Sequence, residues 1–319
     1  MKAVVLEDYA IQQGDLDWSG VKALVPDITR YGRTAQEEVV PRIGDAEIVF
    51  LNKCRIDEAV LAQCPKLRWV GIIATGTDNL DLKACRRHGV PVANVPGYST
   101  YSVAQMTFSL LLAICQCADR YHRLVQDGQW RTEEPAAYGL LPQVELLGKT
   151  FGIYGYGSIG RQTARIAKPL AWRCWCAPAP FGRSTKPTVW SSWILTPCLP
   201  AAMCSACTAR QHLQHGADQR GHPCQGKARH DLAEYCARCT GGRAGRGRCA
   251  EKREAWLYGA DAFGTEPLPQ ASPLRGLPNA LLTPHIAWAT NEALQRLMDI
   301  TANNLRTWLD GTGENIVNA

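Results

Sequence analysis

The first half of the chain alternates short apolar runs with amphipathic stretches. Residues 3–6, 47–51, 67–74 and 90–95 are apolar runs of strand length, and residues 57–63 and 81–88 between them carry helical spacing. Strands alternating with helices predict βαβ units and a parallel sheet. From 102 to 124 apolar residues recur at helical spacing (Val103, Met106, Phe108, Leu111, Leu112), which predicts one long helix. A polar loop at 127–143 and a strand within 147–154 follow. Near the far end, 280–282 reads as a strand. Residues 290–309 read as a helix with Ala293, Leu294, Leu297, Ile300, Leu305 and Trp308 on its apolar positions and Thr290 or Asn291 as its cap. Residues 169–256 show neither pattern, and no apolar periodicity survives from 196 to 256.

Composition changes the picture mainly in that last segment. With 319 residues, 46% hydrophobic and 20% charged, the chain suits an ordinary soluble protein with room for two cores. The opening MKAVVLED reads as a first strand and not a secretory leader, and the most apolar run, 108–114, is too short to span a bilayer. A cytoplasmic location without membrane attachment is expected. Nine of the 14 cysteines lie in 169–256, with thirteen Lys and Arg against five Asp and Glu, a net of +8 that leaves −2 for the rest. A basic surface for nucleic acid would be spread over a folded face. Here the excess sits in one compositionally odd block, so no nucleic-acid partner is expected.

Two constellations carry chemistry. Gly155-Tyr156-Gly157-Ser158-Ile159-Gly160 follows a strand and precedes a helical run, 162–168. In that setting the first glycine makes the tight turn and the second lets backbone approach a pyrophosphate. The third packs helix on strand, and the helix N-terminus supplies partial positive charge. An ordinary glycine-rich βα turn is the competing reading. The acidic residue expected about twenty positions on for the ribose is missing: the stretch there is Cys174-Trp175-Cys176-Ala177. NAD and NADP both stay open. The second constellation is Asp261, Glu266 and His285, the histidine lying just after a strand in Thr283-Pro284-His285-Ile286-Ala287-Trp288. A carboxylate beside a histidine fixes its tautomer and suits it to give a proton at physiological pH. On spacing alone a satisfied structural histidine is the favoured reading.

These segments, together with Gly259-Ala260-Asp261, Thr265-Glu266-Pro267, Ala74-Thr75-Gly76-Thr77-Asp78-Asn79, Asn94-Val95-Pro96-Gly97 and Ser102-Val103-Ala104-Gln105, resemble the signature of the D-2-hydroxyacid dehydrogenases. Pro96-Gly97-Tyr98-Ser99 and His285-Ile286-Ala287-Trp288 most resemble its glycerate dehydrogenase (hydroxypyruvate reductase) branch. The resemblance covers 1–168 and 257–319 and implies two doubly wound α/β domains with parallel sheets. A flavodoxin-like substrate domain would comprise 1–98 plus 288–319, and a Rossmann-like dinucleotide domain 99–287, with the active site in the cleft between them. It implies NAD or NADP on Gly155, Gly157, Ser158, Ile159 and Gly160, with Asp261 near the nicotinamide. Backbone N–H groups at Thr75 and Gly76 would meet the substrate carboxylate. His285, paired to Glu266, would protonate the carbonyl of a small 2-keto acid as hydride arrives. A homodimer through the helix at 102–124 is also implied.

The family holds the keto acid with an arginine inside an N-T-A-R-G string, some two dozen residues before the Asp261 position, and no such string exists here. One reading accounts for the gap: residues from about 169 to 256 are translated out of frame. Codons that could encode residues 227–243, read one base over with permissible wobble choices, spell KPGTILLNTARGALVDE. Those for 249–256 spell ALKSGKLG, running into Tyr258-Gly259. Arg238 lies 23 residues before Asp261, near the arginine's place, but its neighbours Cys236-Ala237-Arg238-Cys239 do not match. Cys204, Cys207, Cys236 and Cys239 form C-x-x-C pairs that would ordinarily signal zinc. Out-of-frame translation explains them with no metal, and a zinc module over 204–239 is the minor alternative. A non-catalytic dinucleotide-binding regulator and an inactive, damaged copy are the other readings of the chain.

Overall fold

The computed structural model describes residues 1–9, 16–131, 133, 143–170, 173–177, 192–195, 204–207, 257–263, 265–277 and 280–319. The chain forms two compact units, Met1–Ser102 with Trp288–Ala319, and Val103–Ala287.

The first unit is built on five parallel strands: β1 (Ala3–Val5), β2 (Ile28–Arg30), β3 (Ile48–Leu51), β4 (Trp69–Ile72) and β5 (Val92–Ala93). Their order is β2-β1-β3-β4-β5. Side chains alternate between the faces of a strand, and the core divides accordingly. Val4, Val49, Leu51, Val70 and Ile72 pack on α2 (Val39–Ile43), α3 (Glu58–Gln63) and α4 (Leu82–Arg87). Ala3, Val5, Ile48, Phe50 and Trp69 pack on α1 (Ser19–Leu24) and on a helix from the far end of the chain, Asn291–Leu309. Both faces are covered, which is why these strands read as unbroken apolar runs. Asp57 and Asp81 stand just outside α3 and α4 and cap them, Asp57 accepting from Val60 N–H at 3.1 Å and Asp81 from Ala84 N–H at 2.9 Å. Thr290 caps the C-terminal helix by accepting from Ala293 N–H. The short α1, α2 and edge strand β2 carried too few apolar positions to register in the sequence pattern.

The helix expected over 102–124 is two helices. α5 (Thr100–Gln116) and α6 (Ala118–Gln126) meet at 61°. The break is at Cys117, whose φ of +53° no helix interior accepts. Among the described residues no single helix is long and apolar enough to cross a membrane. The second unit's sheet contains β6 (Thr150–Tyr154), β7 (Arg173–Ala177), β8 (Ser192–Leu195), β9 (Cys204–Cys207), β10 (Leu257–Ala260) and β11 (Ala280–Leu282). The order is β11-β10-β8-β9-β6-β7, with α7 (Ser158–Ala167) following β6. The expected parallel α/β sheets are found, with one exception. β8 runs antiparallel to both β9 and β10, and it lies in the segment whose sequence carries no family pattern. Since β8 reverses direction between them, β6, β7, β9, β10 and β11 all point one way, and their carboxyl ends share one edge. The helix Asn291–Leu309 is α8.

Candidate active site

β6 lies inside its sheet with β7 on one side and β9 on the other, so the chain diverges at the carboxyl end of β6. Open α/β sheets take ligands at such switch points, and the glycine turn sits there. Gly155 has φ +95°, a conformation that side chains rarely adopt. A Cβ at Gly160 would collide with the carbonyl oxygen of Gly155 and stand 3.3 Å from Ile153, so only glycine lets α7 settle on β6. Gly157, at the N-cap of α7, is different: a Cβ there would meet nothing within 4 Å. The turn therefore leaves open, backbone-walled space at a helix N-terminus, the setting that a pyrophosphate requires. Ser158 and Ile159 open that helix. The Ile159 side chain is buried in a cluster with Val103 and Ala287.

The same cluster ties the turn to the His285 loop, because Ala287 is two residues past the histidine. His285 and Glu266 meet, Nδ1 to Oε2 at 2.7 Å, with side chains 40% and 31% exposed. Glu266 is itself oriented, its Oε1 accepting from Phe263 N–H at 2.8 Å. His285 has φ +58°, left-handed backbone that a non-glycine residue occupies only when its surroundings hold it there. The imidazole thus has its Nδ1 engaged by a carboxylate.

Asp261 was expected at the nicotinamide end of a cofactor. Its carboxylate is buried beneath the His285 loop, 1% exposed. Oδ1 accepts from the Thr283 hydroxyl at 2.6 Å and from Ile286 N–H at 2.9 Å, and Oδ2 accepts from Ala287 N–H at 2.8 Å. Neither this anchorage nor the part of Thr283 was visible in the sequence. The one available signal was a threonine opening the His285 string.

In the first unit, Thr75 and Gly76 lie half-buried in the loop after β4. Thr75 donates its hydroxyl to Val95 O at 2.7 Å, and its carbonyl accepts from Asn94 Nδ2 at 2.8 Å. Asn304 on α8 holds Asn94 in turn, donating to its carbonyl at 2.8 Å. Asn79 bolts this loop to the one after β3 by donating to Asn52 O and Cys54 O. Arg238, Cys236 and Cys239 lie outside the described residues, and Cys204 and Cys207 are described only as backbone of β9. Among the described residues no group of three or more His, Cys, Asp or Glu could hold a metal ion.

Comparison with known proteins gives a consistent result. Residues 11–318 match the family model for the D-isomer specific 2-hydroxyacid dehydrogenase catalytic domain. The chain is 35% identical to a hydroxypyruvate reductase of Blautia hydrogenotrophica over 330 aligned positions, covering all of both chains. It is 28% identical to a glycerate dehydrogenase of Methylorubrum extorquens, covering 89% of each. A solved NADPH-dependent glyoxylate/hydroxypyruvate reductase of Sinorhizobium meliloti superposes with a TM-score of 0.68 over 99% of this chain and 98% of that one. At 17% identity that likeness establishes the shared fold.

Proposed function

Because the chain belongs to the D-isomer specific 2-hydroxyacid dehydrogenase family, we propose that it reduces a small 2-keto acid, hydroxypyruvate foremost, to the D-2-hydroxy acid. It is an NAD(P)-dependent oxidoreductase of that family, and Gly155, Gly157, Ser158, Ile159 and Gly160 would hold the dinucleotide. The open space over Gly157 and the collision awaiting any side chain at Gly160 fit that group. When bound, the nicotinamide supplies the hydride.

The chain's own residues do the rest. Backbone N–H groups at Thr75 and Gly76 orient the substrate carboxylate. His285 gives its Nε2 proton to the carbonyl oxygen as negative charge develops there. Glu266 keeps Nδ1 engaged and so orients the ring for transfer. The observation that carries this reading is the 2.7 Å His285–Glu266 contact, on a loop packed through Ala287 against the helix that opens at the glycine turn. Hydroxypyruvate over other keto acids rests on the likeness to the 35%-identical hydroxypyruvate reductase. A homodimer formed through α5, in the cytoplasm, completes the proposal.

The substrate-gripping arginine of the family has no matching string in this sequence. This favours a second reading, that the polypeptide as written is a frameshifted copy with little turnover. The decisive assay follows hydroxypyruvate-dependent loss of NADH or NADPH absorbance on this chain and on one with 169–256 restored to the alternative frame. Turnover by neither would sink the dehydrogenase proposal. Turnover by the restored chain alone would establish the second reading, and an unbroken gene with unrelated codons would remove the frame argument.

A further inference from the structure

We infer that Asn94 is a positioning residue that aims the Gly76 N–H at the substrate carboxylate by holding the opposite end of the same peptide group. The inference rests on the proposed role of the Thr75–Gly76 backbone in gripping that carboxylate. The carbonyl of Thr75 and the N–H of Gly76 belong to one planar trans peptide and point in opposite directions. Asn94 Nδ2 donates to the Thr75 carbonyl at 2.8 Å. With the oxygen fixed on one side, the N–H is aimed to the other. A glycine at 76 gives this peptide little resistance of its own to rotation, so its orientation depends on what holds it. A donor on the carbonyl also polarises the peptide and strengthens its N–H as a donor. The surroundings keep Asn94 in place for this task. Val95 N–H donates to Ala74 O at 3.0 Å and the Thr75 hydroxyl to Val95 O at 2.7 Å, which zips the segment after β5 to the loop after β4. The Asn94 N–H donates to Asn315 O at 3.2 Å, and its carbonyl accepts from Asn304 Nδ2 at 2.8 Å. Asn304 is buried on α8, and its Oδ1 accepts from Asn315 Nδ2 at 2.7 Å. Three asparagines thus brace one peptide from the C-terminal end of the chain.

Asn94→Asp keeps the shape but sets a carboxylate oxygen against the Thr75 carbonyl, which drives the peptide out of its orientation. KM for hydroxypyruvate should rise about 10- to 150-fold, the worth of one N–H donated to a carboxylate. The value of kcat should stay within about threefold, and the NADH or NADPH dissociation constant within about twofold, as when an interaction common to ground and transition states is removed. A merely structural role would not produce that split. Asn94→Ala, which takes the donor away and adds no repulsion, should show the same pattern more weakly, and it carries the readouts should Asn94→Asp fail to fold. NMR reads the peptide itself. The Gly76 amide nitrogen resonance responds to hydrogen bonding at the preceding carbonyl and should move in both variants. Hydroxypyruvate titrated into the parent, with oxidised dinucleotide present so that no turnover occurs, should shift the same resonance. Equal hydroxypyruvate affinity in parent and variants, an unmoved Gly76 resonance in the variants, or nucleotide binding that weakens in step with KM overturns the inference. If hydroxypyruvate leaves the parent's Gly76 resonance where it was, the substrate role of that backbone fails and the inference falls with it. An inference that fails alone leaves that shift in the parent intact.

Discussion

Gly157 and Gly160 occupy the same turn, yet alanine should act on them in opposite ways. At Gly160 the added Cβ lands on the carbonyl oxygen of Gly155. That oxygen cannot retreat, because Gly155 is held at φ +95° directly after an internal strand. Overpacking against immovable backbone costs roughly 1–3 kcal/mol or more. In a unit of this size each kcal/mol lowers Tm by about 2–4 °C. Gly157 has φ −79° and ψ −160°, which alanine tolerates, and its Cβ would meet nothing within 4 Å. Stability there is a near cancellation. Reduced chain entropy favours alanine by about 0.4–1 kcal/mol, and the poorer N-cap opposes it by a similar amount. The new methyl instead stands in the space left for the pyrophosphate. An overlap costing about 1–3 kcal/mol weakens NADH or NADPH binding by about 5- to 150-fold. Thermal melts by circular dichroism and nucleotide titration by NADH fluorescence read the two effects separately. If Gly157→Ala binds nucleotide as tightly as the parent, the turn is not the cradle.

His285→Ala should lower turnover by about 10²–10⁴-fold, the usual worth of general acid catalysis, with nucleotide affinity retained; Glu266→Gln should lower it less. A parent-like rate in steady-state absorbance assays for His285→Ala would remove the proton-donor role. Gly71→Ala drives a Cβ into the Trp69 ring and against Phe50 in the first unit's core, and should cost about 1–3 kcal/mol in urea denaturation; an unchanged midpoint would contradict that packing. Burial, with Glu7 adding to it, pushes the Cys54 thiol up to about 12, and burial pushes Cys85 and Cys115 up to about 11. A raised folded value means the stabilisation is complete below the ordinary thiol value of 9.0 and is lost as pH climbs toward 11–12. At pH 8 these three should resist iodoacetamide in the native protein and react fully in guanidinium. Rapid native labelling at any of them would refute the burial.

Elements that bury a whole face announced themselves in the sequence. β3, β4 and α8 were legible because covering both faces of the first sheet demands long apolar runs and a helix with Leu294, Leu297 and Leu305 on one side. The glycine turn was legible because its three glycines fall at a recognisable spacing between an apolar strand and a helical run. The break at Cys117 was not. A single left-handed residue changes the direction of a helix without altering the apolar spacing on either side. Asp261 shows the same limit in chemistry. An aspartate near a cofactor motif invites a ligand role, and only coordinates reveal that it also accepts from the backbone N–H groups of residues 286 and 287. Backbone N–H groups belong to every residue, so a carboxylate that uses them leaves no trace in side-chain patterns.

The anomalous segment divides the proposed machinery along a chemical line. The nucleotide cradle at 155–160 and the proton-donating pair of Glu266 and His285 lie outside 169–256. What falls inside is the place where the family carries its substrate-gripping arginine, and no matching string stands there. An out-of-frame segment would therefore not act evenly on function. A missing charge-assisted, forked contact removes roughly 1.5–3 kcal/mol of substrate binding, or about 10- to 150-fold in KM. The cradle's open N-terminus and the His285–Glu266 pair draw nothing from that arginine. On the proposed roles nucleotide binding should therefore suffer less than keto-acid binding, for which the Thr75 and Gly76 backbone remains outside the anomalous segment.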